Sequence, residues 1–197
     1  MTLSTRDLIL QHAAQCFAAA GLAATMGEIA QAAGVSRRTL YNHFPTREAV
    51  LAALVERQSL AFLAGLRAAV AMAGDFPAFL LDCCCHVIRE SPRAPLALMH
   101  VGNSAGQAAT LLHFRSPPII EAWLGFFQGP YVEGLRLGQI APDITLPDLL
   151  AWFGRVVTSY LQVPPEALPS ETLLGAEEAA AVRTQIDRFF IRALRPA

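Results

Sequence analysis

The fold of this chain is decided by residues 25–48, which read TMGEIAQAAGVSRRTLYNHFPTRE. Thr25 followed three residues later by Glu28 is a capping box, which predicts that a helix begins here. Gly34 predicts the end of that helix, because glycine adopts the positive φ of a tight turn without strain. Ser36 is a suitable N-cap for a second helix. The stretch therefore predicts two short helices joined by a tight turn.

The spacing of small and apolar residues in this stretch is typical of a helix-turn-helix. Such a motif requires a small residue where its two helices cross, and Ala30 occupies that position. The apolar residues that would hold the two helices at a fixed angle are Ile29, Val35, Leu40 and Phe44. An ordinary helical hairpin with an Ala–Gly contact has the same spacing. Spacing alone therefore leaves both interpretations open.

Residues 29–48 also resemble the signature of the TetR family of transcriptional regulators. In that signature a helix-turn-helix leads through an aromatic residue, His-Phe and a basic residue into a long connecting helix, as Tyr41, His43-Phe44 and Arg47 do here. The resemblance is specific over residues 5–55 and only architectural beyond them. It implies a ligand-responsive transcriptional regulator rather than an enzyme, in the usual case a repressor that a small molecule releases from its operator.

The resemblance also implies a division of the chain into two domains. Residues 1–46 would form a three-helix DNA-binding domain, and residues 47–197 a larger helical domain for ligand binding and dimerisation. The apolar pattern agrees, because it has a helical period nearly throughout and no run alternates as a strand would. Helices are expected at about 3–20, 46–72, 77–91, 148–161 and 177–194, and from Pro117 onward with a kink at Gly129-Pro130. Residues 93–116 are only weakly patterned. The sequence predicts an all-α protein.

Composition excludes some functions and leaves others open. The formal net charge is −1, so DNA binding would depend on a local basic surface. Three of the four cysteines are adjacent, at 83–85, which does not suit a disulfide framework, and no export signal is apparent. The charge-free stretch 94–114 contains polar residues and glycines that argue against a membrane span. We expect a cytoplasmic protein without a cofactor, a bound metal or a membrane partner.

Helix geometry predicts which side chains of the second short helix read DNA. Residues advance by about 100° along a helix, so Phe44 lies near the core residue Leu40, whereas Arg38 and Asn42 lie roughly opposite. Arginine matches the paired acceptors of guanine, and asparagine matches the donor–acceptor pair of adenine. Arg38 and Asn42 are therefore the predicted base-reading residues of a double-stranded operator.

The residues beside this face are predicted to contact phosphates. Thr39 and Tyr41 lie on the flanks of the same helix, and Arg37 suits either a phosphate or a base. The resemblance implies that the DNA backbone is held by Thr25, Ser36, Tyr41, His43 and Arg47. Two residues depart from the family pattern, since Arg38 stands where a small residue is common and Arg47 stands where lysine is usual. The first departure affects base preference, and the second preserves the charge.

Wide apolar stripes on the last two long helices predict a homodimer. One stripe comprises Leu146, Leu150, Phe153, Val157 and Leu161, and the other comprises Val182, Ile186, Phe189, Phe190 and Ala193. Burial within one chain would explain both stripes, but a surface helix needs a narrower stripe. The resemblance implies that these helices pair with their copies. A two-fold dimer would present two recognition helices to a near-palindromic operator.

The effector is less clearly indicated by the sequence. Aromatic residues with a few polar neighbours suggest a mostly apolar pocket for a small hydrophobic or aromatic effector. The candidate ligand-binding residues are Met99, Asn103, His113, Phe114, Trp123, Phe127, Trp152 and Tyr160. For each of them an ordinary core position is the competing interpretation.

The run Cys83–His86 leaves open an alternative function in redox chemistry or metal binding. Adjacent residues on a helix point about 100° apart, so three neighbouring thiols cannot converge on one tetrahedral ion. One thiol together with His86 and a distant ligand could do so. Buried cysteines that simply fill space are the default interpretation.

Overall fold

The structure is a computed structural model that describes residues 3–70, 75–92, 103–162 and 178–196. All regular elements in these ranges are helical, which confirms the predicted all-α class. The elements are α1 (Thr5–Ala20), a 3₁₀ turn (Gly21–Ala23), α2 (Met26–Ala32), α3 (Arg37–His43), α4 (Arg47–Ala69), α5 (Phe76–Glu90), α6 (Ser104–Arg115), α7 (Pro117–Arg136), α8 (Leu146–Gln162), α9 (Glu178–Phe189) and a second 3₁₀ turn (Ile191–Leu194).

Side-chain hydroxyl groups begin each of the first four helices. Ser4 and Ser36 accept hydrogen bonds from backbone amides three residues ahead, at 3.1 and 3.0 Å. Thr46 does the same for α4, at 3.1 Å. The capping box is confirmed, because Thr25 Oγ1 accepts from the Glu28 amide and Glu28 Oε2 accepts from the Thr25 amide. These bonds satisfy amides that have no partner within their helices.

Two glycines end helices in the left-handed region of backbone conformation. Gly21 follows α1 with φ of 59°, and Gly34 follows α2 with φ of 64°. A side chain at Gly34 would meet no atom within 4 Å, so the requirement for glycine here is conformational rather than steric. Both helix ends agree with the sequence prediction.

Helix α6 was not predicted, and it begins at Asn103. The Asn103 Oδ1 atom accepts hydrogen bonds from the amides of Ala105 and Gly106, at 3.0 and 3.1 Å. Its Nδ2 atom donates to the carbonyl oxygens of Phe17 and Ala18 at the end of α1, at 3.1 and 3.2 Å. One amide side chain therefore both starts α6 and attaches it to α1.

The chain divides into two compact units, which are described separately. Unit 1 comprises Met1–Phe62 with Arg93–Ile120, and unit 2 comprises Leu63–Pro92 with Glu121–Ala197. The boundary between the units falls within α4, whose residues 47–62 belong to unit 1 and whose residues 63–69 belong to unit 2. The predicted boundary at residue 46 concerns the division of function and stays a prediction.

The core of unit 1 combines α1 to α4 with α6. Its fully buried large side chains are Phe17, Ile9, Leu10, Ile29, Leu40 and Leu54. One polar pair lies among them, in which Ser59 Oγ on α4 and His113 Nδ1 on α6 are 2.7 Å apart. By length and composition alone α4 could cross a bilayer, but 44% of its most apolar 18-residue stretch is buried inside the protein.

The core of unit 2 is a set of packed rings, here called the aromatic cluster. Its members are Phe76, Phe79, Trp123, Phe126, Phe127, Tyr131 and Phe153. Phe127 lies at the centre, with ring centroids of four other members between 4.9 and 6.1 Å away. Helix α7 supplies most of these rings and continues through Pro130 to Arg136.

Helices α8 and α9 bury only part of their predicted stripes. Leu146, Phe153 and Val157 of α8 are buried, as are Val182, Ile186 and Phe190 of the second stripe. In contrast, Phe189 is 75% exposed, and Trp152 on α8 is 61% exposed. Helix α9 ends at Phe189 and is followed by a 3₁₀ turn, so it is shorter than the prediction to about residue 194. Helices α8 and α9 therefore each present a large aromatic side chain to solvent.

Candidate nucleic-acid interface

Helices α2 and α3 form the predicted helix-turn-helix. Ile29, Ala30 and Leu40 are buried between the helices. The Val35 amide donates to the Ala30 carbonyl at 3.0 Å, which closes the turn through Gly34. Because these contacts fix both helices, they also fix the direction of the outer face of α3.

Arg38 and Asn42 lie on that outer face. Both side chains are exposed, whereas Leu40 and Phe44 are buried. Within residues 3–70 and the other described ranges, neither the Arg38 nor the Asn42 side chain has a hydrogen bond or an ion pair to the protein. Their donors and acceptors are therefore available to an external partner.

Arg37 points in a different direction from Arg38, toward the first turn of α2. A Cβ atom built on Gly27 would lie 2.9 Å from Nη2 of Arg37. The guanidinium therefore covers Gly27, and a larger residue there would displace it. This position on the flank suits a phosphate better than a base edge.

The hydroxyl groups near α3 are shared between helix capping and the outer surface. Ser36 Oγ and Thr39 Oγ1 are 2.8 Å apart, and Ser36 also accepts from the Thr39 amide. Thr25 Oγ1 donates to the Glu28 carboxylate at 2.8 Å. Tyr41 is 51% exposed, and His43 is exposed at the end of α3. Thr25, Ser36, Tyr41 and His43 are therefore exposed and Thr39 is half-buried, and their contact with DNA stays a prediction.

Arg47 occupies the expected place at the start of α4 but has protein partners. Its Nη1 donates to the Leu22 carbonyl, and its Nη2 pairs with Glu48 at 2.9 Å. The side chain is about one-third exposed. Arg47 therefore ties the start of α4 to the turn after α1, in addition to any contact with a phosphate.

Arg6 is a basic residue beside α3 that sequence reasoning missed. Its guanidinium carbon lies 5.2 Å from the centre of the Phe44 ring, at the end of α3, in a cation–π contact. Arg6 lies in the first turn of α1, more than thirty positions from the motif. No local pattern indicates this contact, because it depends on how α1 packs against α3.

The carboxylates of Asp7 and Glu28 have partners within the protein. Asp7 lies 3.5 Å from Arg57, and the Ser4 hydroxyl is the main cause that lowers the pKa of Asp7. Glu28 faces the Thr25 amide, and this hydrogen bond lowers the pKa of the Glu28 carboxyl. Arg6, Arg37 and Arg38 therefore give the surface a local positive charge, despite the net charge of −1.

The candidate ligand residues are distributed over both units. Asn103 is the cap of α6, His113 is buried against Ser59, and Phe114 is 45% exposed; all three belong to unit 1. In unit 2, the structure brings Trp123 and Phe127 together in the aromatic cluster, with ring centroids 6.1 Å apart. Met99 lies outside the described residues.

The two other candidates in unit 2 lie on α8. Trp152 is exposed to solvent, as described above. Tyr160 is half-buried, and its hydroxyl group donates to Gln185 Oε1 on α9 at 2.9 Å. Tyr160 therefore connects α8 to α9, and neither residue belongs to the aromatic cluster.

The cysteine run has the properties of core packing. Cys83 and Cys84 are buried, and burial raises the pKa of all three thiols at 83–85. Burial also lowers the pKa of His86. Among the described residues, no three His, Cys, Asp or Glu side chains converge on a metal position. Protonated, enclosed thiols are poor nucleophiles and ligands, so the redox or metal-binding alternative finds no support here.

Comparison with known proteins agrees with this geometry. Residues 9–54 match the family described as bacterial regulatory proteins, tetR family. No curated protein sequence matches the chain at a significant level.

Solved structures share the fold over nearly the whole chain. A TetR family transcription regulator from Marinobacter aquaeolei VT8 is 19% identical, with a TM-score of 0.67 over 98% of this chain and 96% of its own. The transcriptional regulator FadR from Bacillus subtilis, solved in complex with stearoyl-CoA, is 14% identical, with a TM-score of 0.69 over 96% and 99%. The ketosteroid transcriptional regulator KstR2 of Mycobacterium tuberculosis is 19% identical, with a TM-score of 0.53 over 100% and 98%.

Proposed function

We propose that this chain, whose residues 9–54 match the tetR family of bacterial regulatory proteins, is a cytoplasmic repressor that a small hydrophobic effector releases from operator DNA. The observation that carries the DNA-binding part is the exposed, unpaired pair Arg38 and Asn42, which lies opposite the buried Leu40 on α3. An α-helix of this kind fits the major groove of B-DNA.

The proposed division of roles follows the directions of the side chains. Arg38 and Asn42 read base edges. Phosphates are contacted from the flanks by Thr25, Ser36, Arg37, Thr39, Tyr41, His43 and Arg47, and we add Arg6 to this group because it is held beside the end of α3. Phosphate contacts fix the register of the protein on DNA, and base contacts provide sequence preference.

Substituting Arg38 and Arg37 in parallel tests this division. We expect Arg38→Ala to weaken operator binding by about 1–3 kcal/mol and to relax the preference for one base pair. Arg37→Ala should weaken binding to all sequences alike and lower the slope of log affinity against log salt by about one. Both are measured by salt titration on DNA from around the protein's own coding region and on a scrambled fragment of equal length.

Comparing Arg38→Ala with Arg37→Ala distinguishes a base contact from a phosphate contact. If Arg38→Ala lost affinity equally for both fragments, Arg38 would be a phosphate contact and the proposed base-reading face would be wrong. The proposed repressor itself would be contradicted if the wild-type protein bound the two fragments equally, both with and without added hydrophobic ligands.

The proposed effector is hydrophobic or aromatic. The aromatic cluster of unit 2 supports this, because it gathers Trp123 and Phe127 with five further rings around one region of α7. Two proteins of the same fold, FadR in complex with stearoyl-CoA and the ketosteroid regulator KstR2, are associated with ligands of the same hydrophobic character. An effector that binds more tightly to the state with low operator affinity would shift the protein toward that state and so release it from DNA.

The proposed homodimer forms through α8 and α9. Its support is the exposure of Trp152 and Phe189, since large aromatic side chains are typical anchors of protein interfaces. We expect the double substitution Trp152→Ala and Phe189→Ala to raise the dimer dissociation constant by about 100-fold, measured by analytical ultracentrifugation. Leu137→Ala, at another exposed apolar position on the turn after α7, is the control and should leave the constant unchanged.

A further inference from the structure

Trp123 in the aromatic cluster has a buried polar group without a partner. The residue is only 7% exposed, and among the described residues its Nε1 atom has no hydrogen-bond acceptor. Most buried polar atoms in folded proteins are hydrogen-bonded, and an orphaned donor lowers stability. A donor left unpaired in this position therefore requires an explanation.

The surroundings of Trp123 supply apolar surface rather than acceptors. Its ring stacks nearly parallel to Phe127, with an interplanar angle of 19°, and packs against Phe126 and Phe153 at centroid distances of 6.2 and 5.5 Å. A buried water needs two to four polar partners, which these rings cannot provide. An acceptor on an otherwise apolar ligand would fit the environment better than water.

A positive charge lies at the edge of the same cluster. The Arg67 guanidinium on α4 lies over the Phe126 ring, 5.5 Å from its centre. Arg67 is exposed, whereas Phe126 is 8% exposed, so this cation marks where the cluster meets solvent. A ligand that enters beside Phe126 would therefore pass a guanidinium before it reached the indole of Trp123.

We propose that Trp123 Nε1 is the hydrogen-bond donor for the effector, which is a hydrophobic molecule with one acceptor oxygen. The oxygen accepts from the indole N–H, and the apolar body of the ligand lies beside Phe126 at the edge of the aromatic cluster. This inference rests on the proposed ligand-responsive function and names the chemical class of the ligand. A ketone carbonyl and a carboxylate both supply the required acceptor oxygen. The two differ in their interaction with Arg67, because its guanidinium favours the charged carboxylate.

Three naphthalene probes of similar shape test the inference. They are 2-acetylnaphthalene with a neutral acceptor, 2-naphthoate with a charged acceptor, and 2-ethylnaphthalene with none. We expect the full-length wild-type protein to bind 2-acetylnaphthalene about tenfold more tightly than 2-ethylnaphthalene, measured by titration calorimetry. In Trp123→Phe this ratio should fall to about one, while Leu137→Ala, at an exposed position outside the aromatic cluster, should keep it. Arg67→Gln should weaken only 2-naphthoate.

A spectroscopic measurement covers the case in which Trp123→Phe does not fold. Trp152→Phe leaves Trp123 as the single tryptophan of the chain. Its emission should shift to longer wavelength with 2-acetylnaphthalene or 2-naphthoate, and stay in place with 2-ethylnaphthalene. An equal ratio of affinities in wild type and Trp123→Phe, or failure of all three probes to bind while operator binding is intact, would overturn the inference. If the wild-type protein does not bind operator DNA, the proposed repressor is contradicted instead. The ratio of the probe affinities would then still test the role of Trp123.

Discussion

Replacing Phe127 by alanine should lower the free energy of unfolding by about 3–5 kcal/mol, the range typical of a large aromatic residue removed from a core. Phe127 is completely buried, and four rings surround it, those of Phe79, Trp123, Phe126 and Phe153. These neighbours come from α5, α7 and α8, so the resulting cavity cannot collapse without moving three helices. Urea unfolding at a fixed protein concentration measures the change.

A second phenylalanine provides the matched control for this substitution. Phe114 on α6 is 45% exposed, and Phe114→Ala should change the free energy of unfolding by less than about 1 kcal/mol. If the two substitutions had similar effects, the aromatic cluster would not be the stability centre of unit 2. A change in the urea m-value for Phe127→Ala alone would indicate altered compactness of the unfolded state.

Acidification should destabilise the protein through His113. Burial lowers the pKa of His113 from 6.5 to about 4 in the folded protein. The unfolded chain therefore takes up a proton near pH 6.5 while the folded protein does not, so stability is complete above pH 6.5. It falls as the pH drops toward 4 and then levels off. The shift corresponds to about 3 kcal/mol.

The comparison of two histidine variants isolates this effect. In His113→Gln the loss of unfolding free energy between pH 7.5 and pH 4.5 should be about 3 kcal/mol smaller than in the wild type. His43→Gln, at an exposed position on α3, should retain the wild-type loss. Equal pH dependence in all three proteins would show that His113 is not protonated differently in the folded and unfolded states. Urea unfolding at each pH value supplies the numbers.

The parts of the structure that could be predicted are those whose determinants lie a few residues apart. The capping box of Thr25 and Glu28, the positive φ of Gly34 and the opposed positions of Leu40 and Arg38 all depend on spacings of two to four residues. The helical period converts such spacings directly into directions. For this reason the geometry of α2 and α3 agreed with the sequence in detail.

The parts that could not be predicted depend on contacts between distant segments. Helix α6 has few apolar residues in a regular period, and its first residue is defined by Asn103 against the end of α1. The contact of Arg6 with Phe44 and the burial of His113 against Ser59 are also tertiary. The unpaired Nε1 donor of Trp123 could not be predicted from the sequence, because only the packing shows which buried groups lack a partner.

The attachment of α6 to α1 has a consequence for the order in which the newly made chain acquires its structure. The helix-turn-helix is complete in sequence by residue 44, and its local contacts favour rapid formation. The carbonyl oxygens of Phe17 and Ala18, however, also accept hydrogen bonds from the Asn103 side chain, which follows 86 and 85 residues later. During synthesis at about 5–20 residues per second, the DNA-binding helices would wait several seconds for this support. A nascent chain stalled before residue 103 would therefore expose an unfinished α1, an early target for proteolysis or chaperone capture.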